Sequence, residues 1–322
     1  MAALLSVEDL KTYFYTKRGV VRAVDGVSFT VDEGETLGVV GESGCGKSIT
    51  ALSILRLVPQ PAGKIVGGRI IFDGEDLLTK SEGEMRDIRG SKISMVLQDP
   101  LTSLNPVFSI GDQVAQPFRH HHQDDHLPLR EKILDVLRRV RIPTPEVMVR
   151  SYPHQFSGGM RQRIVTAMAL ACRPRLIIAD EPTTALDVTI QAQILKLLKE
   201  TQRELGLAFI LITHDLGIVA RVCDRVAVMY AGKVVESARV EDIYERPMHP
   251  YTKALLNSVP QLGARKKRLN AIEGQPPSLT DLGPGCRFAP RCPERFDKCQ
   301  TDMPVPISTG DGEYAACWLL DK

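Results

Sequence analysis

The stretch GESGCGKS spans Gly41 to Ser48, between the apolar run TLGVV and the apolar-periodic segment ITALSILRLV. It fits the pattern G-x-x-x-x-G-K-[ST] completely, and it follows a predicted strand and opens a predicted helix, as this motif requires. Glycines allow backbone N–H groups to turn inward on phosphates, and the helix N-terminus adds a positive dipole end. The stretch therefore predicts a loop that holds a nucleoside triphosphate. A glycine-rich turn that matches by chance is the alternative.

Every residue of this phosphate loop is a candidate nucleotide contact: Gly41, Glu42, Ser43, Gly44, Cys45, Gly46, Lys47 and Ser48. In this motif the lysine reaches the β- and γ-phosphates, and the hydroxyl after it binds Mg²⁺. Those roles fall to Lys47 and Ser48. Cys45 is expected to offer only its backbone N–H, and a reactive thiol near Lys47 is the alternative.

A second acidic motif completes the chemistry. The run LIIADEP places Asp180 at the end of an apolar strand and Glu181 directly after it. Open α/β sheets bind ligands at the carboxyl ends of their strands. Asp180 is therefore predicted to hold Mg²⁺ through water, and Glu181 to position or deprotonate the attacking water. An acidic strand end that faces solvent is the alternative.

Composition places the chain among ordinary globular proteins. It has 322 residues, 43% of them apolar and 25% charged, with a net charge of +2. This balance argues neither for nor against a nucleic-acid partner. No run approaches the ~18 apolar residues that would span a bilayer, and the opening MAALLSVEDLK does not resemble a signal peptide. We expect a chain on the cytosolic side of any membrane, where stable disulfides are rare.

Strand-like apolar runs alternate with helical patterns, and this alternation predicts an α/β fold with a largely parallel sheet covered on both faces. The runs are TLGVV, GRIIFDG, KISMVLQD, LIIAD, AFILIT and RVAVMY, and the clearest helix is VTIQAQILKLLKETQREL. The segment up to about residue 32 indicates an antiparallel layer with a turn at KRG. Residues from about 100 to 150 carry helical patterns without strand signals.

Four thiols crowd the end of the chain, beyond a change in composition near residues 237–246: Cys286, Cys292, Cys299 and Cys317. They have 5, 6 and 17 residues between successive members, among prolines and glycines. This predicts a single tetrathiolate site. Zinc ribbons usually show C-x₂₋₄-C pairs, which are absent here, whereas a [4Fe–4S] cluster accepts looser spacing. An iron–sulfur cluster, Zn²⁺, and unligated or disulfide-linked thiols all remain open.

The segment SYPHQFSGGMRQR resembles the signature of the ATP-binding-cassette (ABC) family. Ser157, Gly158 and Gly159 retain its centre, although Phe156 and Met160 stand where leucine and glutamine are commoner. A hydroxyl, two backbone amides and a helix N-terminus make an anion site. A plain helix N-cap is the alternative.

Further motifs stand in the order of this family. Gln98 in MVLQDP resembles the Q-loop, Asp187 in TTALD the D-loop and His214 in LITHD the switch histidine. The resemblance implies that Gln98 reaches the Mg²⁺, and that His214 contacts the γ-phosphate. The signature and Asp187 would close over ATP held by a second subunit. Phe14 aligns with the aromatic that stacks on adenine, with a core role as the alternative.

Longer strings, such as SMVLQDPLTSLNPVFSIGDQ and HPYTKALLNSVP, resemble the ATPase subunits of dipeptide, oligopeptide and nickel importers. The chain is most similar to the D-type subunit of dipeptide permeases, which bears a cysteine tail. This implies an ABC ATPase domain over residues 1–240, with a RecA-like core, an antiparallel β subdomain and a helical subdomain over about 100–165. Residues 241–322 would form the extension.

The resemblance also implies partners, a location and a cofactor. The partners are a second, homologous ATPase subunit in a heterodimer, two transmembrane permeases and an extracytoplasmic solute-binding protein, without nucleic acid. The location is the cytoplasmic face of the inner membrane, and dipeptide-permease relatives carry a [4Fe–4S] cluster at this tail. Peptide, nickel chelate or another small solute remains open as the cargo. A nucleic-acid ATPase would predict a coiled-coil insertion or tandem cassettes, and a kinase or GTPase would lack the signature.

Overall fold

The structure, a computed structural model, describes residues 3–121, 127–183, 187–258, 272–310 and 312–321. The chain divides into two compact units. The first unit comprises Met1–Val31, Thr36–Leu78 and Ile212–Lys322, and the second comprises Asp32–Glu35 and Thr79–Leu211.

Strands and helices alternate through much of the described chain. The strands are β1 Leu5–Thr16, β2 Gly19–Val31, β3 Thr36–Val40, β4 Gly63–Phe72, β5 Glu75–Asp76, β6 Ile93–Val96, β7 Leu176–Asp180, β8 Ala208–Ile212, β9 Arg225–Tyr230, β10 Lys233–Arg239, β11 Ile307–Gly310 and β12 Glu313–Ala315. The helices are α1 Lys47–Ile54, α2 Glu82–Ile88, α3 Pro100–Ser103, α4 Ile110–His120, α5 Leu129–Arg139, α6 Pro145–Met148, α7 Gly158–Leu170, α8 Val188–Leu205, α9 Leu216–Val222, α10 Val240–Glu245, α11 Pro250–Ser258 and α12 Asp297–Thr301.

The first unit contains an antiparallel sheet of four strands in the order β2-β1-β4-β5. Strands β1 and β2 form a hairpin in which Thr16 pairs with Gly19 across the predicted KRG turn. A hydrogen bond of 2.8 Å between the hydroxyls of Thr12 and Ser53 fastens β1 to α1. The predicted antiparallel layer is therefore confirmed, with longer strands than the sequence indicates.

The same unit contains the strand that leads into the phosphate loop. Strand β3 is buried along its whole length and pairs in parallel with β9, as its apolar composition predicts. Strand β10 then pairs antiparallel with β9, a hairpin that the sequence patterns did not indicate. The connection uses Ala231 and Gly232, both at positive φ, and alanine is rare in that conformation. The short strand β12 extends this arrangement through β10, and β11 pairs with β12.

The second unit supplies the acidic strand and the helices. Strands β6 and β7 pair in parallel, and β8 lies beside β7. Between residues 100 and 150, every regular element of the described chain is helical, as the sequence predicts. Helix α8 covers the predicted periodic segment and buries Ile194, Leu197 and Leu198. Within the described ranges, we find no helix that combines the length and apolar character needed to cross a membrane.

Candidate nucleotide-binding site

The phosphate loop connects β3, which ends at Val40, to α1, which begins at Lys47. Gly41 and Gly46 have φ values of +152° and +108°, which side chains rarely adopt. A Cβ atom at Gly41 would overlap the carbonyl oxygen of Met229, and one at Gly46 would overlap that of Ala23. Glycine is therefore required at both ends of the loop, where the backbone passes directly over β9 and β2.

Lys47 occupies the inside of the loop. Its side chain is buried, and Nζ donates hydrogen bonds to the carbonyl oxygens of Gly41, at 2.8 Å, and Glu42, at 3.0 Å. Burial raises the pKa of the neighbouring Cys45 thiol, so this cysteine stays protonated and unreactive at neutral pH. Ser48 is exposed at the first turn of α1. An ammonium group, loop amides and a helix N-terminus together fit a polyphosphate chain.

His214 lies in the same unit and follows β8. The backbone N–H of Thr213 donates to the carbonyl oxygen of Val39, at 3.2 Å, which places His214 beside the end of the strand that enters the phosphate loop. The imidazole is exposed, and Asp215 after it caps α9 through the N–H of Ile218. This position at the carboxyl edge fits a group that would contact a bound phosphate.

Phe14 is half-buried on β1, where it pairs with Gly63 of β4. A Cβ at Gly63 would lie 2.8 Å from a ring carbon of Phe14, so the ring packs directly over this glycine. Tyr13 instead donates to a carboxylate oxygen of Asp25, at 2.6 Å, and Tyr15 is exposed. Phe14 thus has one packed side and some exposed surface, and its contact with adenine stays a prediction.

Gln98 and Glu181 meet in the second unit. Strands β6 and β7 pair Val96 with Ala179, so the residues two positions later leave the sheet side by side. The amide of Gln98 donates to a carboxylate oxygen of Glu181, at 3.0 Å. Asp180 is buried at the end of β7, and Glu181 has a left-handed φ of +45°. Strained backbone of this kind is concentrated at functional sites.

The signature residues and Asp187 begin two helices of the same unit. The hydroxyl of Ser157 accepts from the N–H of Met160 and caps α7. Asp187 likewise caps α8 through the N–H of Ile190, at 3.0 Å. A Cβ at Gly159 would lie 2.5 Å from a methyl group of Ile190, so glycine allows the two helices to approach closely. Ser157, Gly158 and Asp187 are all exposed.

The predicted magnesium ligands are oxygen donors, which suit this hard cation. Ser48 lies in the first turn of α1 in the first unit, whereas Asp180 ends β7 and Gln98 follows β6 in the second. Their joint coordination of one ion stays a prediction.

The four C-terminal cysteines line one small cavity, about 20 Å³ in volume, together with His249 and Trp318. Burial raises the pKa of Cys286 to about 11 and also raises the pKa values of Cys292 and Cys317. These thiols are therefore protonated, whereas metal ligands are thiolates. In the described part of the chain, no three His, Cys, Asp or Glu side chains are arranged to hold a metal ion. The predicted convergence of the thiols is seen, and the cluster itself stays a prediction.

Two residues outside the predicted motifs also contact the phosphate loop. The hydroxyl of Tyr251 accepts from the backbone N–H of Glu42, and Arg291 forms an ion pair with the side chain of Glu42. Both belong to the segment after residue 246, which shares no local pattern with the loop. A single sequence carries no signal for such distant contacts.

Comparison with known proteins agrees with this geometry. Residues 24–184 match the ABC transporter family, and residues 235–299 match the C-terminal region of oligopeptide/dipeptide transporters. A probable peptide ABC transporter ATP-binding protein of Sinorhizobium fredii is 54% identical over 99% of this chain and 96% of its own length. The dipeptide transport ATP-binding protein DppD of Bacillus subtilis is 52% identical, over 100% of this chain and 96% of its own length.

Solved structures give the same result. A dimeric ATP-binding cassette, MJ0796, in a post-hydrolysis state with ADP and phosphate has a TM-score of 0.65 and 26% identity, over 73% of this chain and 98% of that one. The protein cbiO1 of Clostridium perfringens, part of an ABC transporter complex, has the same TM-score and 30% identity, over 77% of this chain and 93% of its own. The chain therefore belongs to the ABC transporter ATP-binding proteins, in the oligopeptide/dipeptide transporter family.

Proposed function

We propose that this chain hydrolyses ATP to power the import of peptides through an ABC transporter. The main support for the proposal is the phosphate loop. Its backbone conformation and close contacts require glycine at positions 41 and 46, and the side chain of Lys47 is held inside the loop. The paired Gln98 and Glu181 add a positioned carboxylate. The family match supports the same activity, since its members couple ATP hydrolysis to transport.

Each site residue has a proposed role. The loop amides and Lys47 bind the β- and γ-phosphates, and Ser48, Gln98 and Asp180 hold Mg²⁺, which supplies charge stabilisation on the transferred phosphoryl group. Glu181 accepts a proton from the attacking water. The amide of Gln98 holds that carboxylate in place, and His214 contacts the γ-phosphate. Phe14 stacks on adenine.

The exposed helix N-termini support a two-chain mechanism. Ser157, Gly158 and Gly159 present a hydroxyl and backbone amides at the start of α7, and Asp187 lies exposed at the start of α8. We assign these groups to ATP bound by a second, homologous ATPase subunit. ATP binding then favours the closed pair and hydrolysis releases it, which converts chemistry into motion.

The remaining partners follow from the relatives, which are peptide transport proteins. We infer docking on two transmembrane permeases at the cytoplasmic face of the inner membrane, with an extracytoplasmic protein that delivers the peptide. The chain itself would be peripheral and would not bind nucleic acid.

The four cysteines are proposed to hold a [4Fe–4S] cluster, with Zn²⁺ as the alternative. The support is their shared cavity and the loose spacing that suits a cluster. Binding would require the thiols to lose their protons and draw together. Metal and acid-labile sulfide are measured in anaerobically purified protein. About four irons and four sulfides per chain would support the cluster, one zinc without sulfide would support the alternative, and neither metal would reject both.

The nucleotide assignment is tested with the purified chain. We expect Lys47→Ala to weaken ATP binding and to abolish hydrolysis, because the triphosphate loses its buried cation. The matched control is Lys196→Ala, which removes a lysine that is 72% exposed on α8. Unchanged ATP binding in Lys47→Ala would show that the loop is not the nucleotide site.

A further inference from the structure

The guanidinium of Arg291 is saturated with partners. Its side chain is 4% exposed and reaches both carboxylate oxygens of Glu42, at 2.7 and 3.0 Å. Its remaining hydrogen bonds go to the hydroxyl of Tyr230, at 3.3 Å, and to the carbonyl oxygens of Glu273, at 2.9 Å, and Ile272, at 3.3 Å. Two parallel bonds to one carboxylate are the strong geometry for arginine, which lysine cannot reproduce.

Glu42 is consequently held on three sides. Arg291 holds its carboxylate, the hydroxyl of Tyr251 receives its backbone N–H at 3.0 Å, and Lys47 donates to its carbonyl oxygen at 3.0 Å. Glu42 is the second residue of the phosphate loop. Its position therefore fixes the path by which the loop leaves Gly41 and turns toward Lys47.

The residues that hold Glu42 rest on a rigid aromatic cluster. The ring centroids of Tyr230 and Tyr251 are 4.5 Å apart, and Phe288 lies 5.3 Å from each of them. Each of these rings is at most 1% exposed. Phe288 begins the short turn that ends in Arg291, so the cluster fixes the turn and the turn presents the guanidinium.

We propose that the C-terminal extension is a built-in part of the nucleotide site, in which Arg291 is a positioning residue for the phosphate loop. The inference rests on the proposed assignment of ATP to this loop. Without Arg291, a half-buried carboxylate would stand uncompensated in a loop that must receive a triphosphate. The Glu42 carboxylate would repel the phosphates of ATP, and the phosphate loop would lose the contact that fixes its backbone. Both effects would oppose ATP binding.

The turn that carries Arg291 lies between two of the cysteines in sequence, Cys286 and Cys292. Arg291 directly precedes Cys292, and the backbone N–H of Cys286 donates to the carbonyl oxygen of Cys299, at 2.8 Å. Arg291 thus connects the cysteine region directly to the phosphate loop. The extension would be needed for tight ATP binding even before any partner subunit is present.

The test is a double-mutant cycle on ATP affinity with the purified full-length chain. Arg291→Gln is expected to raise the Kd for ATP about tenfold, because it leaves the Glu42 carboxylate unpaired beside the phosphates. Glu42→Gln should raise the Kd less, because it removes that carboxylate charge. The double variant should recover most of the affinity that Arg291→Gln loses, since no unpaired carboxylate remains. A merely structural role would not give this recovery. Arg246→Gln, which changes an arginine of the same extension that is 77% exposed, is the matched control and should bind ATP normally.

The outcomes separate the inference from the function on which it rests. Loss of ATP binding in Lys47→Ala together with unchanged affinity in Arg291→Gln would overturn the inference alone. Independent, additive effects of Glu42→Gln and Arg291→Gln would also overturn it. Should Arg291→Gln fail to fold, Arg291→Lys keeps the charge but loses the paired bonds, and an intermediate loss of affinity is expected. Wild-type affinity in that variant would contradict the proposal.

Discussion

At the scale of single residues, two features distinguish Glu181, the candidate general base: a hydrogen bond to its carboxylate and an unusual backbone conformation. The amide of Gln98 donates to Glu181 at 3.0 Å, and Glu181 sits at a positive φ that costs free energy. Strain that the fold maintains, together with a partner that fixes the carboxylate, is expected for a group that must meet one water molecule. We therefore treat Glu181 as the residue on which hydrolysis depends.

Glu181→Gln should retain ATP binding but lower the rate of phosphate release by a factor of about 100 or more, because the amide cannot accept a proton. ATP binding is measured by equilibrium titration and hydrolysis by phosphate release. The control Glu241→Gln changes a carboxylate that is 73% exposed on α10 and should behave as wild type. Normal turnover in Glu181→Gln would mean that the base is assigned wrongly.

At the scale of secondary-structure elements, the start of α7 admits two interpretations. Ser157 caps the helix through the N–H of Met160, at 3.4 Å, and the same hydroxyl belongs to the proposed signature. A cap alone requires only a side-chain oxygen, whereas a triphosphate site also requires the absence of negative charge.

Ser157→Asp separates the two interpretations. Aspartate is an equally good cap, so the free energy of unfolding should stay within about 0.5 kcal/mol of the wild type. The new charge should nevertheless repel the partner's ATP and abolish ATP hydrolysis by the assembled transporter. Urea denaturation and phosphate release are the two measurements. Normal hydrolysis in Ser157→Asp would leave only the capping role.

The entry to α11 is a second element with a measurable property. His249 is 1% exposed, and burial lowers its pKa to about 3, with a further contribution from Lys253. Its backbone N–H donates to Glu236, and its Nδ1 accepts from the N–H of Tyr251, at 3.0 Å. The imidazole is therefore neutral in the folded chain, next to the tyrosine that holds the phosphate loop.

The unfolding free energy should consequently fall as the pH decreases below about 6.5, the ordinary pKa of histidine. Below that value the unfolded chain binds a proton that the folded chain does not. The contribution of the neutral His249 to stability is therefore fully present above pH 6.5. Between pH 6.5 and pH 3 the unfolding free energy falls by at most about 1.4 kcal/mol per pH unit. Urea denaturation at pH 7.5 and 5.5 measures this slope in the wild type and in His249→Asn. Equal slopes in the two proteins would contradict the assignment.

Elements with strong local signals were predictable from the sequence. The apolar runs that became β3, β7 and β8 are buried along their whole length, and the period of α8 matches its buried face. Strand β10 was not predicted because its turn places Ala231 at positive φ, where turn patterns lead one to expect glycine or asparagine. Local sequence patterns thus predicted most elements, but they did not predict β10, which follows an unusual turn at Ala231.

At the scale of the whole molecule, the sequence motifs were predictable, but the distant residues that hold those motifs in place were not. The spacing within GESGCGKS identifies a phosphate loop because its chemistry is local. The ion pair between Glu42 and Arg291 joins positions 249 residues apart, and no pattern in one sequence links them. The arrangement of the four cysteines around one cavity likewise depended on the folded tail, although their number and spacing indicated a shared site.

The central claim is that ATP hydrolysis by this chain drives peptide import, and it concerns the assembled transporter. The most direct measurement is the accumulation of a labelled dipeptide in proteoliposomes that contain the permeases, the second ATPase subunit and this chain. ATP is enclosed in the lumen with the ATPases, and the solute-binding protein and the dipeptide are supplied outside. Wild-type complexes should accumulate peptide and release phosphate together, and complexes with Glu181→Gln should do neither. Peptide accumulation that continues without ATP hydrolysis by this chain would contradict the account.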